Sequence, residues 1–465
     1  MDNIDSSYRS PFSWRYGSQE MRQIWGELNK HHLWRKLWVV LAETQAEFRI
    51  VSSAQVQDLR DHVDQVDLQR SLEIEAEIHH DLMAEIRAYA EQCPIGGGII
   101  HLGATSMDIK DNADGLRVRQ SLLLTQKALA ELLKVLGDRI EANADLPILA
   151  FTHLQPAEPT TLGYRLAQYG QDLLEDYHTI VRVNAELRLK GFRGAVGNSA
   201  SFTELLGKDR LDEFNQRAAE KLGFLIFDVV TQVYPRKQDY RVACALAGLG
   251  ASLHRFALDW RLLQSMSIGE WSEPFDEKQV GSSAMPFKRN PINAEKIDSL
   301  ARLLAQYPRL AWDNAANSLL ENTLDDSANR RTMLPEMFLI SDELLNTLTQ
   351  LVKGMVIYPD IIQKNLEQYA PFAATERLIM TATKSGLNRQ LIHEELRRLS
   401  MQAWEEVKRG YPNPLLDLIL NDEMIRKAIN ESQIRELMRV EQYIGDAPQR
   451  ARKLSEKIRQ EITQV

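Results

Sequence analysis

The stretch Leu246-Ala-Gly-Leu-Gly-Ala-Ser-Leu-His-Arg-Phe-Ala-Leu-Asp-Trp-Arg-Leu-Leu263 decides the fold class of this chain. Its large apolar residues recur every three or four positions, as on one face of an α-helix, at Leu246, Leu249, Leu253, Phe256, Trp260 and Leu263. An earlier segment shows the same spacing at Leu122, Leu129, Leu132, Leu136 and Ile140. Helix-favouring residues are abundant and alternating strand patterns are scarce. The sequence therefore predicts an all-α fold.

The order of the helical runs predicts three domains. We expect an N-terminal helical domain at residues 1–112, a central domain of long helices at 113–362 and a C-terminal helical domain at 363–465. The central segment has the longest helical runs, which indicates a helix bundle. Because its apolar helices span the whole segment, some of their faces are expected to bury against other subunits.

Composition excludes several functional classes. The net charge of -9 gives no sign of nucleic-acid or membrane binding, so an anionic substrate would need a locally positive site. Two cysteines do not form a disulfide framework and fit a reducing cytoplasm. The polar N-terminus lacks the apolar region of a secretory signal, and no apolar run is long enough to span a membrane. No Cys-x-x-Cys, His-Glu-x-x-His or Walker pattern is present, so the sequence demands no metal or other cofactor.

The segment Gly281-Ser-Ser-Ala-Met-Pro-Phe-Lys-Arg-Asn-Pro291 carries the strongest chemical signal. Its glycine and prolines predict a structured loop that can close over a ligand. A serine with a lowered pKa can act as a base, and Lys288 could supply the positive field. Lys288 and Asn290 could also hold a carboxylate that gains charge during a reaction. The alternative is a polar surface loop with an ordinary Ser-Ser turn.

This loop resembles the signature of the fumarase/aspartase superfamily, and its Phe287-Lys288-Arg289 is most similar to the adenylosuccinate lyase family within it. Three more segments resemble that family in the right order, namely His101-Leu-Gly-Ala-Thr-Ser106, Thr152-His-Leu-Gln-Pro156 and Thr323-Leu-Asp-Asp-Ser-Ala-Asn-Arg-Arg331. The resemblance implies three helical domains and a homotetramer formed by packing the long central helices. It also implies active sites built from several subunits.

The resemblance implies a lyase that eliminates fumarate from N-succinyl nucleotides without a cofactor. The expected substrates are adenylosuccinate, which would give AMP, and the succinylcarboxamide intermediate of purine synthesis (SAICAR). One alternative is a lyase of the same superfamily that acts on another N-succinyl or carboxylated compound. Another is a helical scaffold without catalytic activity, although the intact signature residues argue against it.

The elimination needs a base, an acid and a positive site for the carboxylate. Family alignment points to Ser282 as the base, whereas the sequence alone does not choose it over Ser283, which we interpret as a backbone-capping residue. His153 matches the position of the acid in the family. Glu295 resembles the carboxylate that orients this histidine, and Lys288 completes the catalytic set.

Other candidates match positions that contact the substrate. By resemblance, His80 and Asp81 form a supporting His-Asp pair, and Thr105 and Ser106 bind the succinyl part. The alternative for the two hydroxyl residues is capping of a helix. Gln232 and, less safely, Arg236 resemble a further contact segment.

The nucleotide phosphate needs arginine and hydroxyl donors. By resemblance these are Arg15, Tyr16, Ser327 and Arg331, although Arg330 and Arg331 could instead form a solvated helix face. One departure stands out: Asn322 occupies a position where the family usually has arginine. Lys296 and Arg289 are nearby in sequence and could compensate, or the preferred substrate could differ.

Overall fold

Helices dominate the computed structural model, which describes residues 7–463. Helical residues make up 69% of the chain, which confirms the all-α prediction. The first ten α-helices are α1 Gln19–Trp25, α2 Glu27–Glu47, α3 Ser53–His62, α4 Leu68–Ile78, α5 Asp81–Gln92, α6 Ser106–Ala142, α7 Leu162–Ala185, α8 Ala200–Leu206, α9 Leu211–Leu222 and α10 Lys237–Gln264. They are followed by α11 Ile292–Leu304, α12 Tyr307–Ala316, α13 Asp325–Gly354, α14 Pro359–Lys384, α15 Arg389–Lys408, α16 Leu415–Leu420, α17 Glu423–Ala428, α18 Glu431–Leu437 and α19 Ala447–Ile462. Short 3-10 helices lie at Pro11–Ser13, Gly97–Ile99, Lys208–Arg210 and Val440–Gln442.

The strands that the structure describes form three small two-stranded sheets. The longest pair is antiparallel and consists of β1 (Pro147–Thr152) and β2 (Gln155–Thr161). The others are the parallel pair β3 (Arg188–Leu189) and β4 (Leu225–Ile226) and the antiparallel pair β5 (Trp271–Ser272) and β6 (Val356–Ile357).

The apolar stripe that predicted the fold is buried on α10. Five of its six residues are fully buried, and Leu263 is 5% exposed. The five apolar residues that the spacing predicted on α6 are also fully buried. Both periodicity predictions are therefore confirmed. Among the described helices, none is both long and apolar enough to cross a membrane.

The chain divides into two compact units. The first contains the described residues up to Leu129 together with Asp176–Ala251 and Ser299–Leu345. Its core gathers aromatic side chains from α2, α5, α8 and α9, which include Trp38, Tyr89, Phe202 and Phe214.

The second unit contains Ala130–Glu175, Ser252–Asp298 and the described residues from Asn346 onward. Tyr169 and Phe256 stack here with ring centres 4.1 Å apart, and the Trp271 indole donates a hydrogen bond to the Trp260 carbonyl. Several long helices contribute residues to both units. The division therefore does not coincide with the predicted boundaries at 112 and 363. The three-domain scheme stays a prediction.

Candidate active site

A cavity of about 300 Å³ in the first unit collects several of the predicted substrate-binding residues. Asp81, Ser327 and Arg331 line it, and so does Asn322. The volume lies at the lower end of the range of small-molecule sites.

The N-terminus of α13 shapes one wall of this cavity. Ser327 lies in the first helical turn and Arg331 one turn further on, so both side chains belong to the same helix face. The free backbone N–H groups of a helix N-terminus attract anions. Ser327, this helix end and the exposed Arg331 guanidinium therefore form an arrangement that suits a phosphate group.

Asp81 links two cations at the same cavity. One of its oxygens lies 2.6 Å from Lys110 Nζ, and the other lies 3.5 Å from the Arg331 guanidinium. Burial opposes ionisation of Asp81, but Lys110 and the Leu82 N–H hold the pKa of this carboxyl below its ordinary value. Asp81 is therefore a carboxylate that orients both cations.

His80 precedes this aspartate and caps α5. Its Nδ1 accepts a hydrogen bond from the Met83 N–H at 3.2 Å, and 45% of its side chain is exposed. An accepting Nδ1 carries no proton, so the neutral ring carries its proton on Nε2. His80 can therefore donate one hydrogen bond through Nε2.

Thr105 and Ser106 lie at the start of the 37-residue helix α6. The buried Asp108 carboxylate accepts the Thr105 N–H at 2.9 Å, so this side chain closes the helix start. Within residues 7–463, neither the Thr105 nor the Ser106 hydroxyl makes a hydrogen bond. Capping by these hydroxyls is thus not needed, and both remain available to a ligand.

Gln232 is joined to Asn322, the residue that departs from the family pattern. The Asn322 amide donates to Gln232 Oε1 at 2.7 Å. The Gln232 N–H also donates to the Glu321 carbonyl at 3.1 Å. Asn322 therefore positions Gln232, but it brings no charge to the cavity.

A buried ion-pair network in the wall of the cavity was not foreseen from the sequence. Arg236 pairs with Asp111 at 3.0 Å and with Asp326 at 2.6 Å, and Arg330 pairs with Asp239 at 2.9 Å. The interpretation of Arg330 as part of a solvated helix face is wrong, since only 6% of this residue is exposed. The sequence signal that could have indicated this network is the spacing of Asp326 and Arg330, which lie four residues apart.

The structure does not bring Arg15 and Tyr16 to this cavity. Arg15 is exposed, and its guanidinium lies 5.9 Å from the centre of the Tyr16 ring. The next residue is anchored, because the Gly17 N–H donates to Glu343 at 3.0 Å. Their predicted role in phosphate binding stays a prediction.

The remaining catalytic candidates belong to the second unit, where His153 occupies the tip of the β1–β2 hairpin. Thr152 pairs with Gln155, so His153 and Leu154 form a two-residue turn in which both have positive φ, 54° and 59°. Such a turn favours Asn-Gly, and non-glycine residues in this conformation are strained. His153 is exposed and Leu154 is 70% exposed, so the hairpin presents the imidazole at its outermost point.

The signature loop closes on itself around Gly281. A side chain at this position would collide with the Lys288 carbonyl and would lie 3.1 Å from the Phe275 ring. The Asn290 amide donates to the Gly281 carbonyl at 3.1 Å, which holds the two ends of the loop together. Glycine is therefore required here by close approach of the backbone.

Ser282 accepts the capping hydrogen bonds of this loop. Its oxygen receives the Ala284 N–H at 3.3 Å and the Met285 N–H at 3.1 Å. The interpretation of Ser283 as the backbone-capping residue is therefore wrong. Hydrogen bonds donated to the serine oxygen stabilise its alkoxide form, which is the form that a base requires.

Glu295 lies in the first turn of α11, whose start is held by Glu273. The Glu273 carboxylate accepts N–H groups from Ala294 at 2.7 Å and Asn293 at 3.3 Å. Glu295 itself lies 3.8 Å from Arg261, and within the described chain it forms no hydrogen bond or ion pair with His153. The predicted His153–Glu295 pairing therefore stays a prediction.

Comparisons with known proteins agree with the order of these motifs. A model of a lyase family matches residues 18–303, and a model described as the adenylosuccinate lyase C-terminus matches residues 371–454. Adenylosuccinate lyase of Schistosoma mansoni is 40% identical over 91% of this chain and 89% of its own length. Those of Saccharomyces cerevisiae and Pyrococcus abyssi are 37% and 35% identical over 97% and 94% of this chain, and over 94% and 95% of their own lengths.

Solved structures share the fold. A fumarate lyase from Mesorhizobium superposes with a TM-score of 0.84 at 20% identity, over 97% of this chain and 99% of that one. A 3-carboxy-cis,cis-muconate lactonizing enzyme from Pseudomonas putida gives 0.85 at 21% identity, over the same shares. At this identity the likeness concerns the fold alone.

Proposed function

The chain belongs to the adenylosuccinate lyase family, and we propose that it cleaves adenylosuccinate into AMP and fumarate. The observation that carries this proposal is the similarity to adenylosuccinate lyases along nearly the whole chain. The same elimination would release fumarate from SAICAR, because both substrates carry a succinyl group on nitrogen. Both reactions belong to purine nucleotide biosynthesis.

In the proposed mechanism, Ser282 removes a proton from the carbon beside a succinyl carboxylate. The two N–H groups that its oxygen accepts favour the alkoxide. The carboxylate gains negative charge as the C–H bond breaks, and Lys288 and Asn290 would stabilise that charge. The exposed Lys288 ammonium makes no ion pair among the described residues, which leaves it available for this role.

The C–N bond then breaks, and the leaving nitrogen takes a proton from His153, with Glu295 orienting the imidazole. Thr105 and Ser106 would hold the succinyl part through their unpaired hydroxyls, and His80 would donate through Nε2. The carbon loses one proton and the nitrogen gains one. The electron pair of the C–H bond forms the double bond of fumarate, and the pair of the C–N bond stays on the nitrogen.

We also propose a homotetramer in which each active site takes residues from several chains. Exposed groups in the single chain support this proposal. His153 lies on a projecting hairpin, and large apolar side chains beside the candidate residues are exposed. Phe287 is 82% exposed, Leu320 91% and Leu324 73%. The two cysteines are free, which supports a cytoplasmic location.

The direct test is to give the purified protein adenylosuccinate, argininosuccinate and 3-carboxy-cis,cis-muconate in turn. We expect release of fumarate from adenylosuccinate, followed by its ultraviolet absorbance. Turnover of only one of the other compounds would replace the substrate assignment and keep the lyase class. No turnover of any of them would favour the non-catalytic scaffold.

A further inference from the structure

We propose that Lys110 binds the substrate phosphate and thereby replaces the family arginine that is missing at Asn322. This inference rests on the proposed function and names a specificity residue for that reaction. Lys110 and Asn322 line the same cavity as Ser327 and Arg331.

The first step is to ask which cations at the cavity are free to meet an anion. Arg236 and Arg330 are buried and engaged with the carboxylates of the ion-pair network. Arg117 pairs with Asp114 and lies over the Trp25 ring, 4.7 Å from its centre. Lys30 pairs with Glu27 within the same helix turn. These four cations are therefore already neutralised.

Lys110 and Arg331 differ, because they share one carboxylate. Asp81 offers one oxygen to each of them, at 2.6 Å and 3.5 Å, so this cluster carries one excess positive charge. A phosphate carries about two negative charges near neutral pH. The excess positive charge of the cluster would attract a phosphate, which would meet both cations beside Ser327 at the helix end.

The position of Lys110 is well defined. It lies in the second turn of α6, and 24% of its side chain is exposed. Its ammonium is 2.6 Å from Asp81 and 6.0 Å from the centre of the buried Trp34 ring. The side chain is therefore held at the cavity rather than extended into solvent.

Asn322 does not supply the missing charge. Its amide is neutral and already donates to Gln232. Sequence proximity favoured Lys296 and Arg289 as substitutes, whereas the cations that line the cavity with Asn322 come from α2, α6, α13 and the segment before α10. Of these, Lys110 and Arg331 form the pair with an excess charge.

The test uses the full-length enzyme with Lys110→Gln, and Lys134→Gln as a control on an exposed lysine further along α6. We expect KM for adenylosuccinate to rise about tenfold or more in Lys110→Gln, the cost of one charge-assisted contact. Turnover of succinyladenosine, which lacks the phosphate, should change by less than about twofold. Asn322→Arg added to Lys110→Gln should restore a low KM.

Two outcomes would overturn the assignment. Equal losses with both substrates would make Lys110 a positioning residue for Asp81, and an unchanged KM would remove it from the site. Calorimetry with AMP and adenosine separates this inference from the proposed function, since it needs no turnover. Weaker binding of AMP but not of adenosine by Lys110→Gln supports the inference even if wild-type protein fails to cleave adenylosuccinate, whereas equal effects contradict it.

Discussion

Ser282 shows at the scale of a single residue how a capping hydroxyl can also be a base. The two N–H groups that fix the loop point at the oxygen that would become negative during proton abstraction. A hydrogen bond to the charged form lowers the pKa of the group that accepts it. The same two hydrogen bonds therefore hold the loop in place and favour the charged form of Ser282.

Ser282→Ala should reduce kcat by about 10²- to 10⁴-fold, the usual contribution of a general base. Substrate binding measured by calorimetry should stay close to that of the wild type, because residues other than Ser282 make the proposed contacts to the phosphate and to the succinyl carboxylates. Ser283→Ala is the matched comparison in the same loop. Full activity of Ser282→Ala together with inactivity of Ser283→Ala would show that the second hydroxyl is the base.

Glu85 is a residue on which the stability of the first unit depends. It is fully buried, and it accepts hydrogen bonds from Arg35 at 2.6 Å and His31 at 2.7 Å. Burial alone would raise its pKa, but these two partners hold the pKa of Glu85 below its ordinary value. Glu85→Gln would leave Arg35 buried without its charge partner.

We therefore expect Glu85→Gln to lower the free energy of unfolding by about 3–5 kcal/mol, as measured by denaturant titration. The exposed Glu91 on the same helix pairs with Arg70, and Glu91→Gln should leave stability nearly unchanged. Because the folded pKa of Glu85 is depressed, its contribution is present above its unfolded value of about 4.3 and is lost as the pH falls further. A difference between wild type and Glu85→Gln that persists undiminished at pH 2 would contradict this account.

Among the elements, the signature loop depends on a single close backbone approach. Gly281→Ala should reduce kcat at least tenfold, because the added methyl group would collide with the Lys288 carbonyl and displace Ser282 and Lys288 together. Thermal unfolding should be little changed, since the loop lies outside the buried core. Gly98→Ala is the control, as a Cβ there has no neighbour within 4 Å. An active Gly281→Ala enzyme would mean that the loop opens during the reaction.

The sequence predicts local periodicity better than it predicts contacts between residues that are far apart in the chain. The apolar stripe on α10 was predictable because helix burial follows a fixed 3.6-residue period. The glycine and prolines of the loop motif likewise predicted a structured loop, whereas its closure over a ligand stays a prediction. Lys110 was missed, since its role depends on Asp81 and Arg331, which are far from it in sequence and meet it only in the fold. For the same reason the choice between Ser282 and Ser283 as the capping hydroxyl required coordinates.

For the whole molecule, the projecting hairpin and the shared-site proposal make a joint prediction. Mixed tetramers made by refolding Ser282→Ala with His153→Ala protein should regain part of the wild-type activity, because some sites would receive an intact copy of each residue. Each variant refolded alone is the control. Confirmed mixed tetramers that stay inactive would show that one chain supplies both groups to a site.

The cluster of Lys110, Arg331 and Asp81 carries one excess positive charge, whereas the whole molecule has a net charge of -9. Ionic strength should therefore act on substrate capture in an unusual direction. Between 10 mM and 150 mM salt, the Debye length falls from about 30 Å to about 8 Å. The added salt therefore screens the repulsion between an anionic substrate and distant carboxylates, but it does not screen the attraction at contact distance. The apparent association rate should therefore rise with moderate salt, the reverse of an enzyme whose overall charge steers its substrate inward.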